Sequence, residues 1–384
     1  MNMETKRHFA KSAAIVFLVF VFGFTAITFV SPERTFSDNE NRVLATMPEF
    51  SWKTLFSGEF MADYETYITD QFFLRDDWIR LKTIAEIVLN KQDINGVYIS
   101  KDGYLIERHE DSKVDFEMLE KSKDRLVQFV EKHVGRLGAD HIKVMLVPTA
   151  SEILTDKLPP FATGFDQNGM IDEIYSRLPE GTALDVREAL KAHADEYIFY
   201  KTDHHWTTLG AFYAYQEFCK SMGFDVPSLE DVEQTVVSED FLGTVHSKLN
   251  LDISKDIMSV FTLPNTPTKV QVTVDLAEKF DSMYVDKYLS MKDKYSYYLD
   301  GNHGLTEIAS NSEGKGVLLI IKDSYSHCFA PMTVGNYEKV YLVDFRYFNM
   351  PISQFMMQYR VTDVLVLYNA VTFATDVNSG KFVK

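Results

Sequence analysis

Val317-Leu318-Leu319-Ile320-Ile321-Lys322-Asp323-Ser324-Tyr325-Ser326 is the stretch that decides the fold. Five apolar residues follow one another without alternation, the pattern of a strand covered on both faces. An acid and two hydroxyls come directly after them, and polar groups at strand ends are where open α/β sheets carry their sites. About 120 residues upstream, the apolar run Tyr197-Ile198-Phe199-Tyr200 leads into Lys201-Thr202-Asp203-His204-His205-Trp206. An acid, an imidazole and a hydroxyl are the parts of a serine-nucleophile triad.

The neighbouring segments alternate between strand and helix signals. Ile142–Val147, Val340–Val343 and Val364–Leu367 read as further buried strands. Helical patterns are expected over residues 59–90, 114–134, 167–178, 186–194, 207–222, 325–334 and 351–360, with Thr207 or Thr208 capping the fifth. Asp102-Gly103 between two apolar runs marks a hairpin. This rhythm predicts an α/β domain with a mainly parallel sheet flanked by helices. Residues 223–300 break it. They are charged, carry Pro227, Pro264 and Pro267, and read as an inserted cap.

Residues 12–30 are free of charge and long enough to cross a bilayer as a helix. Lys6, Arg7 and Lys11 precede them, which sets the N-terminus inside and the body outside the cytoplasm. A cleaved signal peptide is the alternative, against which the segment is long and lacks a clear small-residue site. The expected organisation is an anchor over 1–30, a connector with helix over 31–90, and the α/β domain over 91–384. A net charge of −17 argues against nucleic acid and against a peripheral hold on anionic lipid. Cys219 and Cys328 are the two cysteines, with no metal-type spacing; sequence leaves open whether they join.

In an extended backbone residues i and i+2 share a side, so Asp203 and His205 can act together while His204 points away. Histidine is a suitable base for a serine hydroxyl, and a carboxylate fixes its tautomer. Ser324 is the expected nucleophile, being nearer the strand end than Ser326. Capping or solvation is the default role of Asp323 and His327. Trp206 and Tyr325 are candidates for the substrate cleft, with core packing as the plainer role for Trp206. Asp203-His204-His205 can also be read as metal ligands, although adjacent side chains on a strand diverge; no metal and no cofactor is expected.

Residues 201–211, KTDHHWTTLGA, resemble the signature of the DHHW family of bacterial envelope proteins. Residues 37–44 (SDNENRVL), Asp70-Gln71-Phe72, Asn95-Gly96-Val97-Tyr98, Lys322-Asp323-Ser324-Tyr325 and Asp344-Phe345-Arg346-Tyr347 extend the resemblance over most of the chain after the anchor. That family is similar to the SGNH-like domains of alginate O-acetylation proteins. The resemblance implies an SGNH-hydrolase-like fold, with Asp203, His205 and Ser324 as acid, base and nucleophile. It implies O-acyl transfer to a cell-surface polysaccharide, with a multi-pass membrane O-acyltransferase supplying the acyl group. The SGNH pattern also has a glycine and an asparagine as oxyanion donors, for which Gly301, Asn302 and Asn369 are the candidates.

The expectation is therefore a membrane-anchored, extracytoplasmic O-acetyltransferase or acetylesterase. A non-catalytic polysaccharide-binding or scaffold protein and a metal-dependent phosphoesterase are the alternatives.

Overall fold

The computed structural model describes residues 3–37, 42–251 and 253–384. Asp38-Asn39-Glu40-Asn41, part of the family resemblance, lie outside the described residues. The chain divides into two compact units, residues 1–91 with 249–251, and residues 92–248 with 252–384.

The first unit is helical. Met3–Val30 is one helix, and its part Arg7–Val30 is long and apolar enough to cross a membrane. The single helix expected over 59–90 is two, Glu59–Gln71 and Arg75–Val88, broken where Leu74 takes a φ of 56°. Asp70 is buried and accepts Arg42 Nη1 at 2.9 Å and the Ala45 N–H at 2.8 Å. The Gln71 amide donates to the carbonyls of Arg34 and Ala45. The Asp-Gln pair thus fastens the connector to its helix.

The second unit is built on a seven-stranded sheet. Its order is Glu278–Phe280, Val270–Val274, Leu305–Ser310, Lys339–Val343, Val317–Lys322, Asp363–Asn369, Ile142–Val147. The last four strands are parallel to one another, and the first three pair antiparallel. The sheet is therefore mixed rather than mainly parallel. Two of its strands come from residues 223–300, the segment expected as an inserted cap; the rest of that segment includes the antiparallel pair Glu233–Phe241 and Asp256–Thr262.

The parallel strands are buried on both faces because helices cover both. Leu318 and Ile320 pack with Phe212, Phe218 and Phe329, from the helices Thr208–Met222 and Ser326–Thr333. Leu319 and Ile321 pack with Phe129, Ile171 and Phe355, from Phe116–Leu137, Gln167–Arg177 and Ile352–Gln358. Alternation along one strand thus feeds two separate cores.

The expected strand at 197–200 is not part of this sheet. Phe199 and Trp206 form an isolated bridge, closed by Tyr200 N–H to the His205 carbonyl and Thr207 N–H to the Ile198 carbonyl. The motif therefore rides on a tight loop, and Thr207 caps the helix that follows. The hairpin at Asp102-Gly103 pairs Val97–Ile99 with Leu105–Glu107.

Candidate active site

Strand Val317–Lys322 runs out at Asp323, whose carboxylate accepts the Tyr325 N–H at 2.9 Å and the Asn369 N–H at 2.8 Å. It ties the serine loop to the end of the adjacent strand, and burial pushes its carboxyl upward. Ser326, the competing hydroxyl, is buried and donates to the Asp323 carbonyl at 2.9 Å. Ser324 is half-buried, and its Oγ lies 2.7 Å from His205 Nε2.

Asp203 Oδ1 accepts both the backbone N–H of His205, at 3.0 Å, and its ring Nδ1, at 2.5 Å. A turn rather than an extended strand folds the acid onto the ring. A carboxylate only accepts, so Nδ1 carries the hydrogen and Nε2 is left to accept from Ser324. His204 does not point away: its ring centroid is 3.9 Å from that of His205.

Residues that sequence reasoning missed hold this loop. Asp256 accepts the N–H groups of Lys201 (2.8 Å) and Thr202 (2.7 Å), the Thr202 hydroxyl (2.5 Å) and the Tyr197 hydroxyl. Thr244 donates its N–H and hydroxyl to Asp203 Oδ2, at 2.8 and 3.0 Å. Gly243 lies so close that an added Cβ would sit 2.2 Å from the Cβ of Asp203, so only glycine fits. Tyr295 stacks on His205 with centroids 3.8 Å apart, and its hydroxyl donates to the Ser324 carbonyl at 3.3 Å.

Burial alone would raise the Asp203 carboxyl. Electrostatic interaction with the neighbouring His204 and His205 rings and the bonds from His205 and Thr244 outweigh it, holding the group far below the usual carboxylate range. His205 moves down to about 4, because burial, with the His204 ring beside it, outweighs Asp203. The ring is thus kept neutral, the form in which a base can take a proton.

Behind the serine, buried Lys322 lies 2.7 Å from His327 Nε2 and 3.5 Å from Asp344. Burial draws the Lys322 amine down to about 8. Asp344 also accepts the backbone N–H, Nε and Nη2 of Arg346, whose Nη2 reaches the exposed Asn302 at 2.9 Å. Lys322 and Arg346 thus share one buried carboxylate, and His327 is internal rather than solvating.

Of the oxyanion candidates, Asn369 sits beside the serine loop, with its side-chain oxygen capping the helix Ala370–Thr375. Asn302 is engaged with Arg346, and Gly301 packs against Ser296. Trp206 and Tyr325 are not cleft residues. Both are buried: Trp206 Nε1 donates to the Tyr325 carbonyl, and the Tyr325 hydroxyl donates to the His204 carbonyl. They brace the two loops against each other. Cys219 and Cys328 are both buried and free.

A mixed α/β sheet with a serine just past the carboxyl end of a parallel strand, and a separate loop that brings an aspartate–histidine pair onto that serine, defines the class. A family model described as DHHW protein matches residues 103–343, and the chain belongs to that family. Among solved structures, a DHHW family protein from Eubacterium siraeum DSM 15702 is similar at 25% identity and a TM-score of 0.63, covering 75% of this chain and 95% of that one. Bacillus cereus PatB1 is similar at 17% identity and a TM-score of 0.62, over 73% of this chain and 97% of its own. The O-acetyltransferase domain of Pseudomonas putida AlgJ matches at 13% identity and a TM-score of 0.46, over 73% and 93%. No curated protein sequence matches the chain.

Proposed function

We propose that this chain is a membrane-anchored, extracytoplasmic O-acetyltransferase or acetylesterase with an SGNH-like fold, acting on a cell-surface polysaccharide. The observation that carries the reading is the 2.7 Å approach of His205 Nε2 to Ser324 Oγ, continued to Asp203 at 2.5 Å. The Ser324 oxygen attacks an acyl carbonyl as its proton passes to His205. The leaving group takes that proton as it departs, and the acyl group stays on Ser324. A sugar hydroxyl, or water, then gives its proton to His205, attacks the ester, and frees the serine. Asp203 orients the ring and stabilises the imidazolium.

The Ser324 N–H has no backbone acceptor among the described residues and is a candidate oxyanion donor beside Asn369. Lys6, Arg7 and Lys11, ahead of the charge-free run 12–30, support an orientation with the body outside. A multi-pass membrane O-acyltransferase would deliver the acyl group.

Two observations bear on the alternatives. Asp203, His204 and His205 each offer a donor atom within 4.8 Å of the others, which favours a metal-dependent phosphoesterase as the second reading. Against it, the Asp203 oxygens and both His205 nitrogens already hold the hydrogen bonds described above, and His204 Nδ1 holds the Thr244 hydroxyl. A scaffold role would leave glycan binding intact in His205→Ala, with no turnover in the wild type.

Hydrolysis of p-nitrophenyl acetate by the full chain in detergent tests the proposal. Ser324→Ala and His205→Ala should each lose about 10²–10⁴ in rate. A Ser324→Ala enzyme as fast as wild type ends it. Activity lost to a chelator and restored by Mn²⁺ or Zn²⁺ selects the phosphoesterase.

A further inference from the structure

Three hollows adjoin one another in the second unit. The first, of about 330 Å³, is lined by Ser151, Glu152, Thr155 and Phe161. The second, of about 350 Å³, shares Arg108 and His109 with it and contains Glu107. The third, of about 230 Å³, shares Thr375 with the second and reaches Arg346. Ser151, Thr375 and Arg346 follow the carboxyl ends of three parallel sheet strands, the edge on which Ser324 also sits. Arg346, which the third hollow reaches, pairs with Asp344, and Asp344 lies 3.5 Å from Lys322, two residues before Ser324.

Phe161, at the outer hollow, is anomalous twice over. Its side chain is 99% exposed, and its φ is 64°, a left-handed conformation that side chains other than glycine rarely take. Burial of the ring does not compensate for that backbone. Strained residues held in the open cluster at ligand contacts.

We propose that the three hollows form one cleft for an extended polysaccharide chain, and that Phe161 stacks on a sugar ring at the end away from Arg346. The choice of a glycan rests on the proposed function; the length and polarity of the cleft come from the lining. The Thr155 hydroxyl and the His109 ring line it with no side-chain hydrogen bond among the described residues and are the groups open to sugar hydroxyls, whereas Ser151, Glu152, Arg108 and Thr375 line it already bonded to Gln167, to Asn168, to Asp93 and Glu110, and to the Val371 carbonyl. An exposed aromatic face is what the apolar face of a pyranose lacks in water. The substrate class is therefore a polymer, read over several sugars, rather than a small acetylated saccharide.

The test is calorimetric titration of the full chain in detergent, without acyl donor, with octasaccharides and disaccharides of three β-1,4-linked chemistries: glucose, N-acetylglucosamine and mannuronate. At least one octasaccharide should bind about tenfold tighter than its disaccharide, and Phe161→Ala should remove about tenfold from that octasaccharide alone, with Phe161→Trp restoring it. The proposal is overturned if no octasaccharide outbinds its disaccharide, or if Phe161→Ala binds the octasaccharide as wild type does. Because no acyl donor is present, an inert Ser324 in the esterase assay would end the reaction scheme without altering this result.

Discussion

Tyr295 lies flat on His205, the ring planes 13° apart, and the same side chain donates from its hydroxyl to the carbonyl oxygen of Ser324. One buried tyrosine therefore touches both the candidate base and the backbone of the candidate nucleophile. Removing the ring frees the imidazole to rotate off Ser324, whereas removing only the hydroxyl leaves the stack intact. Tyr295→Leu should lower kcat about tenfold or more with KM little changed, and Tyr295→Phe should stay within a few-fold of wild type. Equal losses in the two variants would show that the stack does not hold the ring.

Thr244 gives Asp203 Oδ2 two hydrogen bonds, one from the backbone and one from the hydroxyl. Thr244→Val keeps the shape and removes the second. The Asp203 carboxylate then loses one of the contacts that keep it ionised, and its hold on His205 weakens. A drop of about tenfold in kcat/KM, near 1.4 kcal/mol, is expected, measured by ester hydrolysis. Thr244→Ser, which keeps the hydroxyl, should recover most of it.

Asp256 reaches the motif from a different strand and never touches the reacting atoms. It is a positioning residue: four donors from Tyr197, Lys201 and Thr202 converge on its carboxylate. Asp256→Asn leaves some of them facing an amide N–H₂ group and should loosen the loop. Both the melting temperature and kcat should fall, and crystals of the variant should show the His205–Ser324 separation widened. Unchanged kcat with a lowered melting temperature would mean that Asp256 serves stability alone.

His205 and His327 are buried and neutral in the fold, with burial the main cause of the downward shift in each, to about 4 for His205 and well below the usual value for His327. In the unfolded chain both take up a proton near pH 6.5. Between pH 6.5 and about 4 the unfolded state thus binds more protons, and stability falls as pH falls. The stability these groups contribute is present above pH 6.5. Each proton of difference costs up to about 1.4 kcal/mol per pH unit across that window. Melting temperature should drop steeply from pH 7 to pH 5, and less steeply in His327→Gln. Ester hydrolysis should hold its rate on the acid side to well below pH 6.5, because the base stays neutral there.

Local signals made much of this legible in the sequence. The unbroken run Val317–Ile321 marked a doubly covered strand, Thr207 marked a helix start, and Asp102-Gly103 marked a hairpin. Each is decided by neighbours in the chain. The run Tyr197–Tyr200 was ambiguous because a buried loop and a buried strand need the same apolar residues. What makes it a loop is Asp256, 55 residues from Lys201. Thr244 is 41 residues from the acid it serves, and nothing in its own surroundings marks it. The antiparallel half of the sheet did carry a signal. Val270-Gln271-Val272-Thr273-Val274 alternates at period two, although the charged residues and prolines around it obscure the pattern. His204 was misplaced because the backbone turns at Asp203, bringing adjacent rings together instead of apart.

The central claim is that Ser324 carries an acyl group as a covalent intermediate. Mass spectrometry of the full chain, acid-quenched seconds after mixing with an activated acetyl ester and then digested, tests this directly. The account predicts one acetyl group on the peptide containing Ser324, absent in Ser324→Ala and persisting longer in His205→Ala if any forms there. Turnover of the ester with no acetyl on that peptide, or with the label on another residue, would contradict it.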